Sequence, residues 1–139
     1  DTQWELGTPN AGGLTAAASG DNAWGTNLAS DYSPNANLSL RSPVIDLTEI
    51  GRPILTFNYF IDSVFDVEGG QFRILNEAGM PLYTQEGIFS GTSDDWISFE
   101  LRFPTEARGQ AVILEFRMLT DGDDSVGAGW YIDDIIIDR

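Results

Sequence analysis

The 139-residue chain contains no histidine, no cysteine and no lysine. Without histidine and cysteine it cannot form a Ser-His-Asp triad, a Cys-His pair, a histidine-bearing zinc site or an iron–sulfur site. Without lysine it cannot form a Schiff base with a carbonyl substrate. Any catalysis would therefore have to use carboxylates, tyrosine, serine and arginine.

Basic residues are scarce as well. Seven arginines oppose 22 acidic residues, and the formal net charge is −15. Such a surface repels phosphate groups, so we expect neither nucleic acid nor an anionic membrane as a partner. No segment approaches the roughly 18 apolar residues of a membrane span. The opening residues are unlike a signal peptide, so we expect one module, residues 1–139, excised from a larger protein.

Hydrophobic residues alternate with polar ones along several short segments. In residues 95–103, Ile97, Phe99, Leu101 and Phe103 share one face, and the residues between them share the other. This period of two predicts a half-buried antiparallel strand. The same reasoning predicts strands at 3–7, 38–46, 71–75, 80–85 and 110–119. Residues 53–61 and 130–137 are apolar on both faces, so we expect them at the centre of a sheet.

No segment has a convincing amphipathic helical pattern. Residues 8–37 are polar and rich in Gly, Asn, Ser and Ala, which predicts a long surface loop that carries function. Eight or nine short strands without helices predict an all-β protein of the β-sandwich class, with two antiparallel sheets.

Several blocks of sequence resemble one family. Two are fairly specific together, Leu40-Arg-Ser-Pro-Val-Ile-Asp-Leu47 and Gly129-Trp-Tyr-Ile-Asp-Asp-Ile135. With Trp4–Pro9 and Ala23–Leu28, they resemble the MAM-like jelly-roll modules attached to immune-inhibitor-A-type bacterial metalloproteases. That group includes the cleaved-adhesin modules of bacterial haemagglutinins and extracellular proteases. The resemblance implies a jelly-roll sandwich, a secreted or cell-surface parent and often a bound calcium ion, but no catalysis, and it leaves the ligand open.

Two acidic motifs are the candidate calcium ligands. Asp133 and Asp134 lie inside an otherwise apolar strand, where adjacent side chains point to opposite faces. A buried carboxylate needs a cation or several donors, so one of the two could bind Ca²⁺ while the other fixes a loop or an arginine. Alternatively, both are structural and hydrogen-bonded. Asp62 and Asp66 lie four residues apart in a predicted turn and could converge on one ion, or could form a solvated acidic turn.

Aromatic residues supply the candidate ligand-binding site. Trp96 shares the polar face of its strand with Ser98, Glu100 and Arg102, so its ring could stack on a sugar while Glu100 and Arg102 bind hydroxyls. Trp24 and Tyr32 in the long loop are the next candidates. Alternatively, Trp24 plugs an end of the sandwich, as large aromatics often do.

These features predict a non-catalytic, calcium-stabilised, monomeric module of a secreted bacterial protein, which binds polysaccharide or glycan. The acidic surface favours neutral sugars over polyanions. One alternative is an accessory domain, structural or substrate-presenting, which contacts protein surfaces or neighbouring domains of the same chain without binding sugar. A third hypothesis is a small hydrolase that uses a pair of carboxylates. With 22 acidic residues in the chain, however, the presence of such a pair is expected by chance and does not indicate catalysis.

Overall fold

In the computed structural model, which describes residues 2–65, 67–85, 87–122 and 125–138, the chain consists of short strands joined by loops. No helix among these residues is long and apolar enough to cross a membrane. The elements are β1 Trp4–Gly7, β2 Ala23–Thr26, β3 Asn37–Arg41, β4 Ile45–Asp46, β5 Ile54–Asp62, β6 Gly69–Asn76, β7 Pro81–Thr84, β8 Ile97–Arg102, a 3-10 turn Thr105–Ala107, β9 Ala111–Leu119 and β10 Gly129–Asp138.

Two antiparallel sheets pack face to face. The first sheet has the strand order β1-β2-β10-β5-β8. The second has the order β3-β9-β6-β7, and β4 also pairs with β9. The expected all-β sandwich of two antiparallel sheets is confirmed, and so is the central position of β5 and β10, because each has a strand on both sides.

The first sheet buries side chains on both of its faces. Phe57 and Ile61 of β5 point inward, where they join the main core between the sheets. Phe60 and Tyr131 point outward and form a second cluster with Leu14 and Ala128, which we call the outer cluster. Residues 11–14 of the long loop pack on this cluster, which explains why β5 and β10 are apolar on both faces.

The long polar segment contains a strand that its composition concealed. Ala23–Thr26 forms β2, which pairs with β1 and with the start of β10. Gly25 lies directly under the ring of Tyr131, where a Cβ atom would collide with the ring carbons. Gly25 contributed to the prediction of a loop here. In the structure its missing side chain allows the Tyr131 ring to lie across the strand.

A charged triad crosses the outer face of the second sheet. The register places Arg41 of β3 and Arg73 of β6 on either side of Glu115 of β9. Arg41 Nε donates to Oε2 at 2.8 Å, and Arg73 Nη2 lies 2.7 Å from Oε1. Burial alone would raise the pKa of the Glu115 carboxyl, but the hydrogen bonds and charges of the two arginines outweigh it and lower the pKa.

Candidate functional site

Trp96 lies just before β8, at the rim of the outer cluster. Its indole N–H donates to the carbonyl of Ala16 at 3.1 Å, and its backbone N–H donates to Asp95 Oδ1 at 2.8 Å. The ring is partly buried, so these two bonds and the packing fix its orientation before any ligand arrives. Such an arrangement gives a flat apolar platform at a low entropic cost of binding.

An open groove of about 380 Å³ runs beside this ring. It is lined by residues 13–18, Asp94, Asp95 and Trp96. The volume lies in the range of about 300–1,000 Å³ that ligand clefts occupy. Carboxylate and backbone oxygens next to an aromatic face can accept hydrogen bonds from hydroxyl groups, while two carboxylates would repel an anion. The chemistry of this groove suits a neutral sugar.

Glu100 and Arg102 do not belong to the same site as Trp96. The side chains of Glu100 and Arg102 are exposed, as the alternation in β8 predicts. A strand rises about 3.3 Å per residue, so Arg102 lies roughly 20 Å from Trp96. The three residues therefore do not form one compact site, and a ligand that contacts all of them has to extend along the whole strand.

Arg102 instead joins two other arginines. Arg52, Arg102 and Arg108 line a pocket of about 220 Å³ whose remaining walls are Pro53 and Ile54. We call it the arginine pocket. No pattern in the sequence predicts this pocket, because the three arginines come together only once β5 has paired with β8.

Trp24 faces the opposite side of the sheet from Trp96. It stands opposite Ile132 in the pairing of β2 with β10, and Ile132 is in the core. Its ring lines an apolar groove of about 450 Å³ that opens between the two sheets. The other lining residues are Leu40, Arg41, Ser42, Pro43, Ile45, Leu114, Phe116, Ile135 and Ile137. Trp24 therefore cannot act together with Trp96 on one sugar.

Tyr32 is only 2% exposed and packs in the main core. Its hydroxyl donates to Oε1 of the buried Glu68 at 2.6 Å. The predicted role of Tyr32 as a sugar-stacking residue is incompatible with this position, because no ring face reaches solvent. The segment around Tyr32 is therefore attached to the core through this side chain and does not lie entirely on the surface.

Asp133 and Asp134 lie on the same face of the sheet, contrary to the expectation of opposite faces. Between the pairs Asp133–Asn58 and Ile136–Thr56, one residue of β5 lies opposite two residues of β10, and Asp134 has a φ of 53°. This β-bulge turns both carboxylates outward. Ser19 donates to both of them, through its backbone N–H to Asp133 and through its hydroxyl to Asp134, and Asn58 Nδ2 donates to Asp134 at 3.1 Å. The hydrogen-bonded alternative describes this pair.

Asp62 stabilises the loop before β10. Its Oδ2 accepts the backbone N–H of Ala128 at 3.0 Å, and Oδ1 accepts a longer bond of 3.4 Å from the Thr92 hydroxyl. Asp66 lies outside the described residues. Asp62 is four residues along β5 from Asn58, the partner of Asp133, which is a separation of about 13 Å. Within the described ranges no three acidic side chains are grouped to hold a metal ion.

Glu68 is the buried carboxylate at the end of the sandwich where Asp62 lies. It accepts the Tyr32 hydroxyl at one oxygen and the backbone N–H of Asp121, 3.0 Å away, at the other. Burial raises the pKa of the Glu68 carboxyl, the two donors oppose the rise, and the neighbouring Asp121 carboxylate adds to it. The net pKa is raised. In the sequence, Glu68 follows Asp62 and Asp66 in the predicted acidic turn, and nothing in that pattern indicates that its carboxylate is buried.

No family model matches the chain. Over 137 residues the chain is 31% identical to bacillopeptidase F of Bacillus subtilis (strain 168). The match covers 99% of this chain but only 9% of that protein, so the chain corresponds to a small part of its curated relative.

The fold is shared with solved structures. The K1 cleaved adhesin domain of Lys-gingipain from Porphyromonas gingivalis superposes with a TM-score of 0.58 at 13% identity, over 98% of this chain and 83% of that one. The chain has the fold of a cleaved-adhesin module. The resemblance inferred from its sequence blocks is thereby confirmed.

The cleaved-adhesin fold also matches a carbohydrate-binding module. CBM27-1 of Caldicellulosiruptor saccharolyticus, solved in complex with mannohexaose, gives a TM-score of 0.54 at 13% identity, over 99% of this chain and 82% of that one. The fold also matches parts of solved enzyme chains, 22% of an arabinofuranosidase and 73% of a Stig cyclase. The fold alone therefore leaves the question of catalysis to the site.

Proposed function

We propose that the chain is a non-catalytic accessory module of an extracellular bacterial protein, and that it binds a neutral polysaccharide in the groove beside Trp96. The observation that carries this proposal is the fixed, partly exposed ring of Trp96 at an open groove with two carboxylates. The neighbours in fold support it, because they include a carbohydrate-binding module and an adhesin domain. The match to part of a bacillopeptidase supports an extracellular location.

Affinity electrophoresis on neutral polysaccharides tests the proposal. The change Trp96→Ala should abolish retention on the cognate polymer and lower the melting temperature by only a few degrees, because the ring is partly exposed. Trp96→Phe keeps a ring but loses the N–H that bonds Ala16, so it should keep part of the retention. Trp24→Ala removes the same side chain from the other face and should leave retention unchanged. Retention that survives Trp96→Ala would contradict the proposal.

Calcium remains the second part of the proposal. The carboxylates of Asp133 and Asp134 and that of Glu68 all accept hydrogen bonds, so occupied oxygens do not distinguish them. Glu68 differs because it is fully buried beside the acidic Asp121, where a cation would balance its charge. Ca²⁺ takes six to eight oxygens, so an ion held by these two residues would also draw on backbone or water oxygens.

A second function, contact with a neighbouring domain, is favoured by the apolar groove at Trp24. The groove is open, and Ile135, one of its lining residues, is 40% exposed. A partner segment in the groove would bury this side chain. If no polysaccharide retains the chain, and Trp24→Ala weakens its binding to an adjacent domain while Trp96→Ala does not, this function replaces the first.

A further inference from the structure

The arginine pocket is a concentration of positive charge on a strongly acidic protein. Of the seven arginines in the chain, Arg52, Arg102 and Arg108 line one small pocket. Three like charges around 220 Å³ repel one another, and this repulsion is relieved when an anion binds between them.

The pocket is built on fixed backbone. Arg102 is the last residue of β8 and stands opposite Ile54 of β5. The backbone N–H of Phe103 donates to the carbonyl of Pro53 at 3.1 Å, which joins the two sides. Arg108 follows the 3-10 turn, and its Nε donates to the carbonyl of Phe103 at 2.7 Å. The guanidinium of Arg108 is therefore held in place before a ligand binds.

The arginines of this pocket differ from the others in their partners. Arg41 and Arg73 share Glu115, and Arg117 Nε donates to Asn37 Oδ1 at 3.0 Å. Among the described residues, no carboxylate oxygen lies within 4.0 Å of a side-chain nitrogen of Arg52, Arg102 or Arg108. A chain with 22 acidic residues could readily have supplied such a carboxylate, yet none of the described residues that line this pocket is acidic.

We propose that the arginine pocket binds the carboxylate of an acidic sugar residue, as a second site about 20 Å from the Trp96 groove. A guanidinium presents a planar fork that matches a carboxylate with two parallel hydrogen bonds. Pro53 and Ile54 offer an apolar wall for the C–H face of a sugar ring. The proposal rests on the proposed function only in taking a sugar as the ligand. It also limits the expectation that the net charge excludes uronate polymers, because the local charge here is positive.

Amide NMR titration of the chain with sodium glucuronate tests the proposal, with glucose as the neutral control at the same ionic strength. We expect saturable amide shifts with glucuronate at Arg52, Ile54, residues 101–103 and Arg108, and none there with glucose. Arg102→Gln should weaken the binding at least fivefold, since it removes a charge-assisted pair. Arg117→Gln makes the same change of net charge elsewhere and should alter the affinity less than twofold.

Several results would overturn the proposal. These are shifts that do not saturate, equal weakening by Arg102→Gln and Arg117→Gln, or binding of inorganic phosphate without binding of glucuronate. The last result would assign the pocket to phosphate groups instead. The two sites fail separately, because Trp96→Ala should abolish retention on the neutral polymer and leave the glucuronate shifts intact. If the wild-type chain is retained on the neutral polymer but does not bind glucuronate, the proposal for the arginine pocket is overturned and the proposed function is not.

Discussion

Glu115 and Glu68 are both completely buried, yet their surroundings move the pKa of the two carboxyls in opposite directions. Burial disfavours the charge on both. Two arginines compensate it at Glu115, whereas Glu68 has a tyrosine hydroxyl, one backbone N–H and a second carboxylate. The comparison teaches that two positive charges offset the cost of burial at Glu115, whereas two neutral donors beside a second carboxylate do not offset it at Glu68. Glu68 lacks such a charge among the described residues, which is why a cation is proposed there.

Calcium should have the largest effect on stability, and it should remove the difference between Glu68 and Glu115. An ion bound beside Glu68 would supply the missing positive charge, and a hundredfold excess over Kd adds about 2.7 kcal/mol to the free energy of unfolding. We expect a melting temperature several degrees higher in millimolar calcium than in EDTA. Glu68→Gln should remove this difference, and Glu115→Gln should keep it. A midpoint that does not respond to calcium would refute the calcium proposal.

Glu115→Gln should destabilise the fold by about 2 kcal/mol, since charge-assisted hydrogen bonds are worth roughly 1.5–3 kcal/mol each and the half-exposed Arg41 can turn to water. A fall of about 6 °C in the melting temperature would correspond to this loss. Arg117→Gln on the same strand is the control and should change the midpoint by less than 2 °C. If the two changes lower the melting temperature equally, the charged triad does not stabilise the fold more than an ordinary surface arginine does.

The pH dependence separates the two glutamates by sign. The lowered pKa of Glu115 means that its stabilisation is present above the unfolded value near 4.3 and is lost as the pH falls through the folded value. The raised pKa of Glu68 means that its contribution is present below the unfolded value and is lost as the pH rises through the folded one. In EDTA at pH 7, Glu68→Gln should therefore melt at the wild-type temperature or slightly above it.

A comparison of melting at pH 7 and pH 5 in EDTA checks this sign. Wild type should gain stability relative to Glu68→Gln on going to pH 5, because Glu68 takes up a proton in the folded state. If Glu68→Gln were the less stable protein at pH 7 and the gap closed below pH 4, the pKa of Glu68 would be lowered instead. The contrast with Glu115 would then disappear.

Salt should have the smallest effect. The net charge of −15 generates repulsion across the surface, which added NaCl screens, so the midpoint should rise modestly with salt at fixed calcium. Glu115→Gln should show the same rise, because a buried ion pair is screened little. A midpoint that falls steadily with NaCl would mean that attraction between surface charges outweighs the repulsion.

The sequence predicted the strands well where side chains alternate. β8 and β9 follow their predicted bounds closely, and so do the two central strands. It missed β2, since four residues with a central glycine carry too little pattern, and it joined β3 to β4 across Pro43. The alternation in β8 correctly predicted that Ser98, Glu100 and Arg102 are exposed, but it was wrong for Ile97, which is 39% exposed at the start of the strand.

The candidate sites were harder to predict, because they depend on register. Glu115 lies beside its two arginines only because β3 and β6 pair with β9 in the observed register. Arg52 lies near Arg102 only because β5 pairs with β8. The bulge at Asp134 inserts one extra residue into β10, so the strict alternation of faces that the sequence pattern assumes fails there. Two adjacent aspartates in an apolar strand were the one visible sign of this irregularity.

The contacts of residues 14–19 have a consequence for motion. This part of the loop is held to the sheet by Ser19 on the bulge, by the Ala16 carbonyl on Trp96 and by Leu14 on the outer cluster. So few attachments predict that the segment opens as one unit, far more often than the sandwich unfolds. Hydrogen exchange should therefore release the amides of residues 14–19 together, while those of β5 and β10 stay protected, and each opening would briefly uncover Phe60 and Tyr131.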